Sequence, residues 1–284
     1  MKQKIWFPIV MIILCVGLLT AYLFYSRSVT DSVAPVVSVA SPEKVLQVSV
    51  NDPKTALLAG ITAQDDRDGD VTASLVVESL GVISNEHTMT VTYAAFDKAG
   101  NVGKAKRTVQ YTDYEGPRYS LSAPLVYTFG SHFDVLNQVQ VTDPLEGDIR
   151  HKIKTMQLDS ETLSAEGIHE VRFRVTNSLG DLEELVLPVE VQYSGRFNAQ
   201  LTLKEYLVYM KTGEEFIPKS YLQELLRGGV STKLTRVLPE GMELTLEGEV
   251  DTETPGVYAV SYTLTDTNGG KWTAYNKLIV VVEE

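Results

Sequence analysis

Three stretches of this chain repeat one strand pattern, and that repeat limits the fold more than any other feature. The first is Thr88-Met-Thr-Val-Thr-Tyr-Ala-Ala-Phe-Asp97, running into Lys-Ala-Gly-Asn101. The second is Gly167-Ile-His-Glu-Val-Arg-Phe-Arg-Val-Thr-Asn177, running into Ser-Leu-Gly-Asp181. The third is Gly256-Val-Tyr-Ala-Val-Ser-Tyr-Thr-Leu-Thr-Asp266, running into Thr-Asn-Gly-Gly270. Aligned on Tyr93, Phe173 and Tyr262, the copies place Val91, Val171 and Val260 before the ring and Ala95, Val175 and Leu264 after it. Asp97, Asn177 and Asp266 follow, then Gly100, Gly180 and Gly269. The next strand keeps phase with Val109, Val189 and Leu278, then Tyr111, Val191 and Val280. The copies are spaced by 80 and then 89 residues.

Alternation with period two predicts a β-hairpin whose inner face is the Val–aromatic–aliphatic stripe. Thr90 and Thr92, Arg172 and Arg174, and Ser261 and Thr263 take the outward positions. In the turn, Asp or Asn offers an acceptor to loop N–H groups and Gly accepts positive φ. A hairpin apolar on one face needs a covering sheet. Val45–Val50, Leu75–Val77, Val135–Val141, Ile153–Leu158 and Leu201–Val208 are expected to supply it. The expectation is an all-β chain of antiparallel β-sandwiches, about seven strands per copy. Modules are placed at 34–113, 116–193 and 197–284, with boundaries at Val33-Ala34-Pro35, Asp113–Pro117 and Tyr193–Arg196. Such short joints predict a semi-rigid rod. The third copy departs at Ser220–Arg227, which with Gly228-Gly229 after it predicts a short capped helix.

The first copy also carries Gly60-Ile-Thr-Ala-Gln-Asp-Asp-Arg-Asp-Gly-Asp-Val-Thr72 ahead of its hairpin. Together these resemble the bacterial Ig-like repeats of exported and surface proteins. They are similar also to HYR-type modules and to Ig-like modules appended to insecticidal crystal toxins. The likeness spans roughly residues 45–111; in the second copy Asp143–Asp148 replaces the acidic loop, and the third keeps only the late hairpin. The resemblance implies three tandem Ig-like sandwiches acting as a surface spacer or adhesion module without catalytic activity. Fold resemblance transfers no ligand.

Ahead of the repeats, residues 5–25 (IWFPIVMIILCVGLLTAYLFY) hold no charge. As a helix they span roughly 31 Å, the thickness of a bilayer core. Lys2 and Lys4 precede the run and no acidic residue occurs before Asp31. The positive-inside rule then predicts a single-pass signal-anchor in the cell membrane, N-terminus cytoplasmic and modules extracellular. A cleaved signal peptide is the competing reading, with a cut after Ala21 as its weak site; a typical h-region is shorter than this run. Cys15, the single cysteine, lies inside the run, so no intramolecular disulfide forms.

The 25 Lys and Arg against 37 Asp and Glu give a net charge of −12, which argues against nucleic acid as a partner. The expected partners are a surface protein or glycan, or another membrane protein contacted through the helix, where Gly17 and Ala21 form a small-residue face. No Gly-x-Ser-x-Gly elbow frames a nucleophile, and the histidines His87, His132, His151 and His169 lack zinc-ligand spacing. No enzyme and no obligatory cofactor is expected. The sharpest site is the acidic loop. Asp65, Asp66, Asp68 and Asp70, with Asp97 and Asn101 from the hairpin turn, form a candidate calcium set that would stiffen the stalk. The alternative is a solvated turn whose carboxylates cap backbone N–H groups. Asp143, Glu146 and Asp148 form the weaker counterpart. Tyr111, Tyr114, Tyr119, Tyr193, Phe197, Tyr206 and Tyr209 line the joints, either as a binding strip or as packing between modules.

Overall fold

The computed structural model describes residues 3–131, 134–156, 165–193, 195 and 197–284. His132, the end of the Ile153–Leu158 run, and Ser194 and Arg196 of the second joint lie outside them. The chain forms two compact units, Met1–Tyr114 and Glu115–Glu284, so the second and third copies of the repeat share one unit.

The first unit opens with helix α1 (Gln3–Val29), apolar throughout its middle. Seven strands follow: β1 (Val36–Val39), β2 (Leu46–Val48), β3 (Ile61–Asp65), β4 (Gly69–Asp70), β5 (Val76–Leu80), β6 (Thr88–Phe96) and β7 (Val102–Tyr111). The repeated hairpin is β6–β7, paired from Thr88↔Gln110 to Phe96↔Val102. Its stripe is inside: Val91, Tyr93, Ala95 and Val109 are essentially inaccessible to solvent. The cover is the sheet β1-β3-β4, while β2 and β5 extend the hairpin's own sheet in the order β2-β7-β6-β5. Val45–Val50 and Leu75–Val77 therefore do not cover the hairpin as the sequence suggested. They pair its two free edges, whose unmet N–H and C=O groups need partners more than the face needs extra area.

The second copy repeats this plan with β8 (Arg118–Leu121), β9 (Val126–Thr128), helical turn α2 (Val135–Gln138), β10 (Val139–Asp143), β11 (Gly147–Asp148), β12 (Lys154–Met156), β13 (Gly167–Thr176) and β14 (Leu182–Gln192). Its cover is β11-β10-β8 and its hairpin sheet is β12-β13-β14-β9. Of the Val135–Val141 run, Val139–Val141 enters the cover in β10 and Val135–Gln138 forms the helical turn ahead of it, whereas Ile153 leads into β12, on the hairpin edge.

The third copy contains β15 (Ala199–Leu203), β16 (Leu207–Lys211), β17 (Leu222–Arg227), β18 (Val230–Lys233), β19 (Met242–Glu247), β20 (Gly256–Asp266) and β21 (Thr273–Glu283). They form one wrapped sheet, β18-β17-β15-β21-β20-β19, with β16 also on β21. The helix expected over Ser220–Arg227 is instead strand β17. A single 3-10 turn at Pro218–Tyr221 leads into it, and Gly228 (φ 55°) and Gly229 (φ 81°) turn it into β18. Two successive positive φ values are the signature of a type I′ hairpin turn, which two glycines adopt without strain.

Strand β21 welds the second and third copies together. Leu278, Val280 and Val282 enter the third copy's core. Ile279 and Val281 point the other way, into the core of the second copy with Phe173, Leu187 and Leu207. Tyr209 accepts a hydrogen bond from the Tyr119 N–H (3.2 Å), and the Arg118 guanidinium lies 4.5 Å from the Tyr209 ring centroid. Glu190 accepts from the Tyr275 hydroxyl (2.7 Å) and pairs with Lys277, whose side chain is only 5% exposed.

Candidate metal centre

One pole of the first unit gathers three carboxylates. Asp65 ends β3, Asp97 opens the β6–β7 turn, and Asp31 lies between α1 and β1. One carboxylate oxygen from each lies within 4.8 Å of the other two. Asp65 and Asp97 are each 8% exposed, and Asp31 is half-buried.

Local backbone geometry holds each one. Asp65 Oδ1 accepts from the Arg67 and Asp68 N–H groups (2.9 and 2.8 Å), an Asx turn that folds the acidic loop back on itself. Asp65 Oδ2 is buried and has no hydrogen-bond donor among the described residues. Asp97 Oδ1 accepts from the Asn101 N–H (2.8 Å) and Oδ2 from the Asn101 side-chain amide (2.7 Å). Burial pushes the Asp97 carboxyl up, but those bonds and the Gly100 and Ala99 N–H groups outweigh it and keep it below the usual carboxylate value. Asp31 Oδ1 accepts from the Val33 N–H (3.1 Å), and Oδ2 lies 4.0 Å from Arg67 Nε.

The sequence-derived ligand set is thus only partly assembled. Asp65, Asp97 and Asn101 converge. Asp68 turns to Lys98, accepting from its N–H (2.7 Å) and its ammonium (3.0 Å); these bonds hold its carboxyl below the ordinary value. Asp70 caps Thr72 (2.9 Å) and is lowered by hydrogen bonds with that residue. Asp66 is exposed. Asp68 and Asp70 behave as the capping alternative predicted. Asp31 was missed, because it reaches the pole from a segment 34 residues ahead of Asp65; its position as the first acid after the apolar run was the available signal.

The second copy provides an internal comparison. Asp143 Oδ1 accepts from the Leu145 and Glu146 N–H groups (2.8 and 3.0 Å), matching Asp65. Asp148 caps Arg150 (2.9 Å), matching Asp70. Where the first copy has Asp97, the second has Asn177, and its amide donates to Asp143 Oδ2 at 2.9 Å. Glu146 is drawn instead to Lys152 and Ser178. In the third copy Asp266 accepts from the Asn268 and Lys271 N–H groups.

Most joint aromatics are packing groups. Tyr111, Tyr114 and Tyr119 are buried, and Tyr206 and Tyr209 lie against the shared core. Phe197 stacks on Tyr275 with centroids 4.9 Å apart. Tyr193 is 59% exposed beside Phe129, 43% exposed, at 5.4 Å between centroids. His87 adopts φ 57° and meets Tyr114 edge-on, and His169 contacts the Ala165 carbonyl.

No family model matches the chain. It is 25% identical over 237 residues to the pesticidal crystal protein Cry22Aa of Bacillus thuringiensis, covering 82% of this chain and 31% of that protein. The chain therefore spans about a third of that relative's length. Among solved structures it is similar to Drosophila N-cadherin EC1-3 (TM-score 0.28, 13% identity, 87% of this chain and 99% of that one). It is also similar to the Clostridium perfringens ZmpB structure of CBM51-2 in complex with GlcNAc and INT domains (TM-score 0.22, 12% identity, 87% of this chain and 44% of that one). The fold is an all-β architecture of sheet-rich copies behind an apolar helix.

Proposed function

We propose that the chain is a membrane-tethered, non-enzymatic surface protein whose Ig-like copies bind or space a partner outside the bilayer. The observation that carries this reading is helix α1. Trp6–Ser26 has a mean hydropathy of 2.5 over its best window and no part of that window buried by the protein. A 21-residue apolar helix left uncovered by its own chain matches the hydrocarbon thickness of a membrane. Behind it stand sheet-rich copies without a cysteine, so no disulfide supports them. The shared core of the second and third copies supports a spacing role, since it fixes two sandwiches as one body.

The exposed Tyr193–Phe129 pair is the contact surface this reading favours. Tyrosine offers an apolar ring with a polar tip, suited to a sugar face or a protein anchor. The full chain, displayed on cells, should adhere to the surface polymer or protein it recognises, and Tyr193→Ala should weaken that adhesion at least tenfold without altering the fold. Exchange of α1 for an unrelated apolar helix should leave adhesion intact. Loss of function on that exchange would instead favour an accessory subunit recognised through its helix. Hydrolysis of an envelope polymer at enzyme-like rates would overturn the reading.

A further inference from the structure

Among the described residues, Asp65 Oδ2 is a carboxylate oxygen at the first unit's pole that is both buried and without a donor. Asp65 itself is more than nine-tenths buried. A buried anionic oxygen without a donor is costly, and proteins offset that cost with an amide, a cationic side chain or a metal. The second copy uses the amide: Asn177 donates to Asp143 Oδ2. The first copy replaces that amide with Asp97, a third carboxylate, and spends the neighbouring Asn101 amide on Asp97 itself and on the Asp31 carbonyl (3.3 Å). Arg67 is a cation beside the cluster, its Nε 4.0 Å from Asp31 Oδ2.

We infer that Asp31, Asp65 and Asp97 bind one divalent cation of the calcium type. The donors are all oxygen, which selects a hard ion over zinc or copper. Two oxygens on one Ca²⁺, each about 2.3–2.6 Å from it, lie at most about 5 Å apart, and the three carboxylates fall inside that span. The ion joins the β3–β4 loop and the β6–β7 turn to the segment between α1 and β1, so it clamps the start of the first sandwich at the point where the chain leaves the helix. The site is independent of the surface reading, because its ligands all lie within the first unit.

The test is calorimetric titration of the full chain in detergent micelles with CaCl₂ after chelator treatment, with melting followed in parallel. One Ca²⁺ per chain is expected, with a melting temperature that rises with its concentration. Asp65→Asn and Asp97→Asn should each weaken binding at least tenfold, and Arg67→Gln should tighten it. Position 97 tolerates Asn on the second copy's precedent, and an unchanged circular dichroism spectrum separates loss of binding from loss of fold. Asp66→Asn, at the exposed loop position, should leave affinity unchanged. The inference is overturned if millimolar Ca²⁺ produces neither heat nor a melting shift. Equal weakening by Asp66→Asn and Asp65→Asn overturns it too, because that marks diffuse attraction to a negative pole. So does a loss of stability on Arg67→Gln with no gain in affinity, because Arg67 is then the counter-ion.

Discussion

The repeated aromatic position shows how far one atom can differentiate copies of a pattern. Tyr93 is fully buried and donates to the Leu57 carbonyl (2.8 Å) while accepting from Arg107 (3.2 Å). Tyr262 donates to the Pro218 carbonyl (3.1 Å). Phe173, at the same place in the second copy, has no hydroxyl to satisfy. Tyr93→Phe should therefore cost about 1 kcal/mol in chemical denaturation, since Arg107 still reaches the Leu57 carbonyl (2.9 Å); an unchanged midpoint would contradict that role. Glu183 behaves differently. Burial, and after it the Glu283 charge, push its carboxyl up to about 7. A carboxyl that holds its proton more tightly folded than unfolded makes the native state lose stability as pH rises from about 4.5 through 7. Glu183→Gln should remove that slope and stabilise the protein at pH 8 by about 1–2 kcal/mol, allowing for the partial exposure of the site. Melting curves of both forms from pH 5 to 8 decide it: parallel profiles would exclude the effect. At residue scale the buried stripe was legible because period two depends only on neighbours along the chain. Asp31 was not, because its place at the pole depends on where β1 docks.

At the scale of elements, plain alternation is erased in two ways, by burial on both sides of a strand and by a break in its register. Leu278–Val282 reads as a continuous apolar run because its alternate residues serve two cores. Ile279→Ala should destabilise the Glu115–Glu284 unit by about 2–4 kcal/mol and split its unfolding into two transitions. Retention of one sharp transition at full stability would show that the copies do not depend on this strand for their union. Strand β17 misled in the opposite direction. Leu222 and Leu225 are spaced like residues on one face of a helix. Both are buried in a strand because the pairing with β15 slips between Thr202 and Leu203, adding one residue on the β17 side. A bulge thus turns period two into a spacing of three. The docking of β1 has its own marker in Gly103, where a Cβ would stand 1.7 Å from the Pro35 carbonyl oxygen. Gly103→Ala must displace the start of β1, and a loss of several degrees in melting temperature is the expected readout. A variant that melts like the parent would show that the contact yields freely.

For the whole molecule, sequence periodicity was enough to place the three repeated hairpins and to specify all-β construction, and the uncovered apolar helix was legible from length and composition alone. The joining of the second and third copies was not legible, since it rests on which face of β21 meets which core. The proposed tethering of extracellular sandwiches to a membrane by a retained helix is open to a direct measurement. Cells expressing the full chain with a tag at each end are treated with protease from outside, and the protein recovered from the membrane fraction is sequenced by mass spectrometry. A retained anchor gives an intact N-terminus with residues 5–25 in the membrane and all strand-bearing residues from Val36 onward cleaved from outside. A chain beginning after Ala21 and free of the membrane, or one whose strands are shielded by the bilayer, would contradict it.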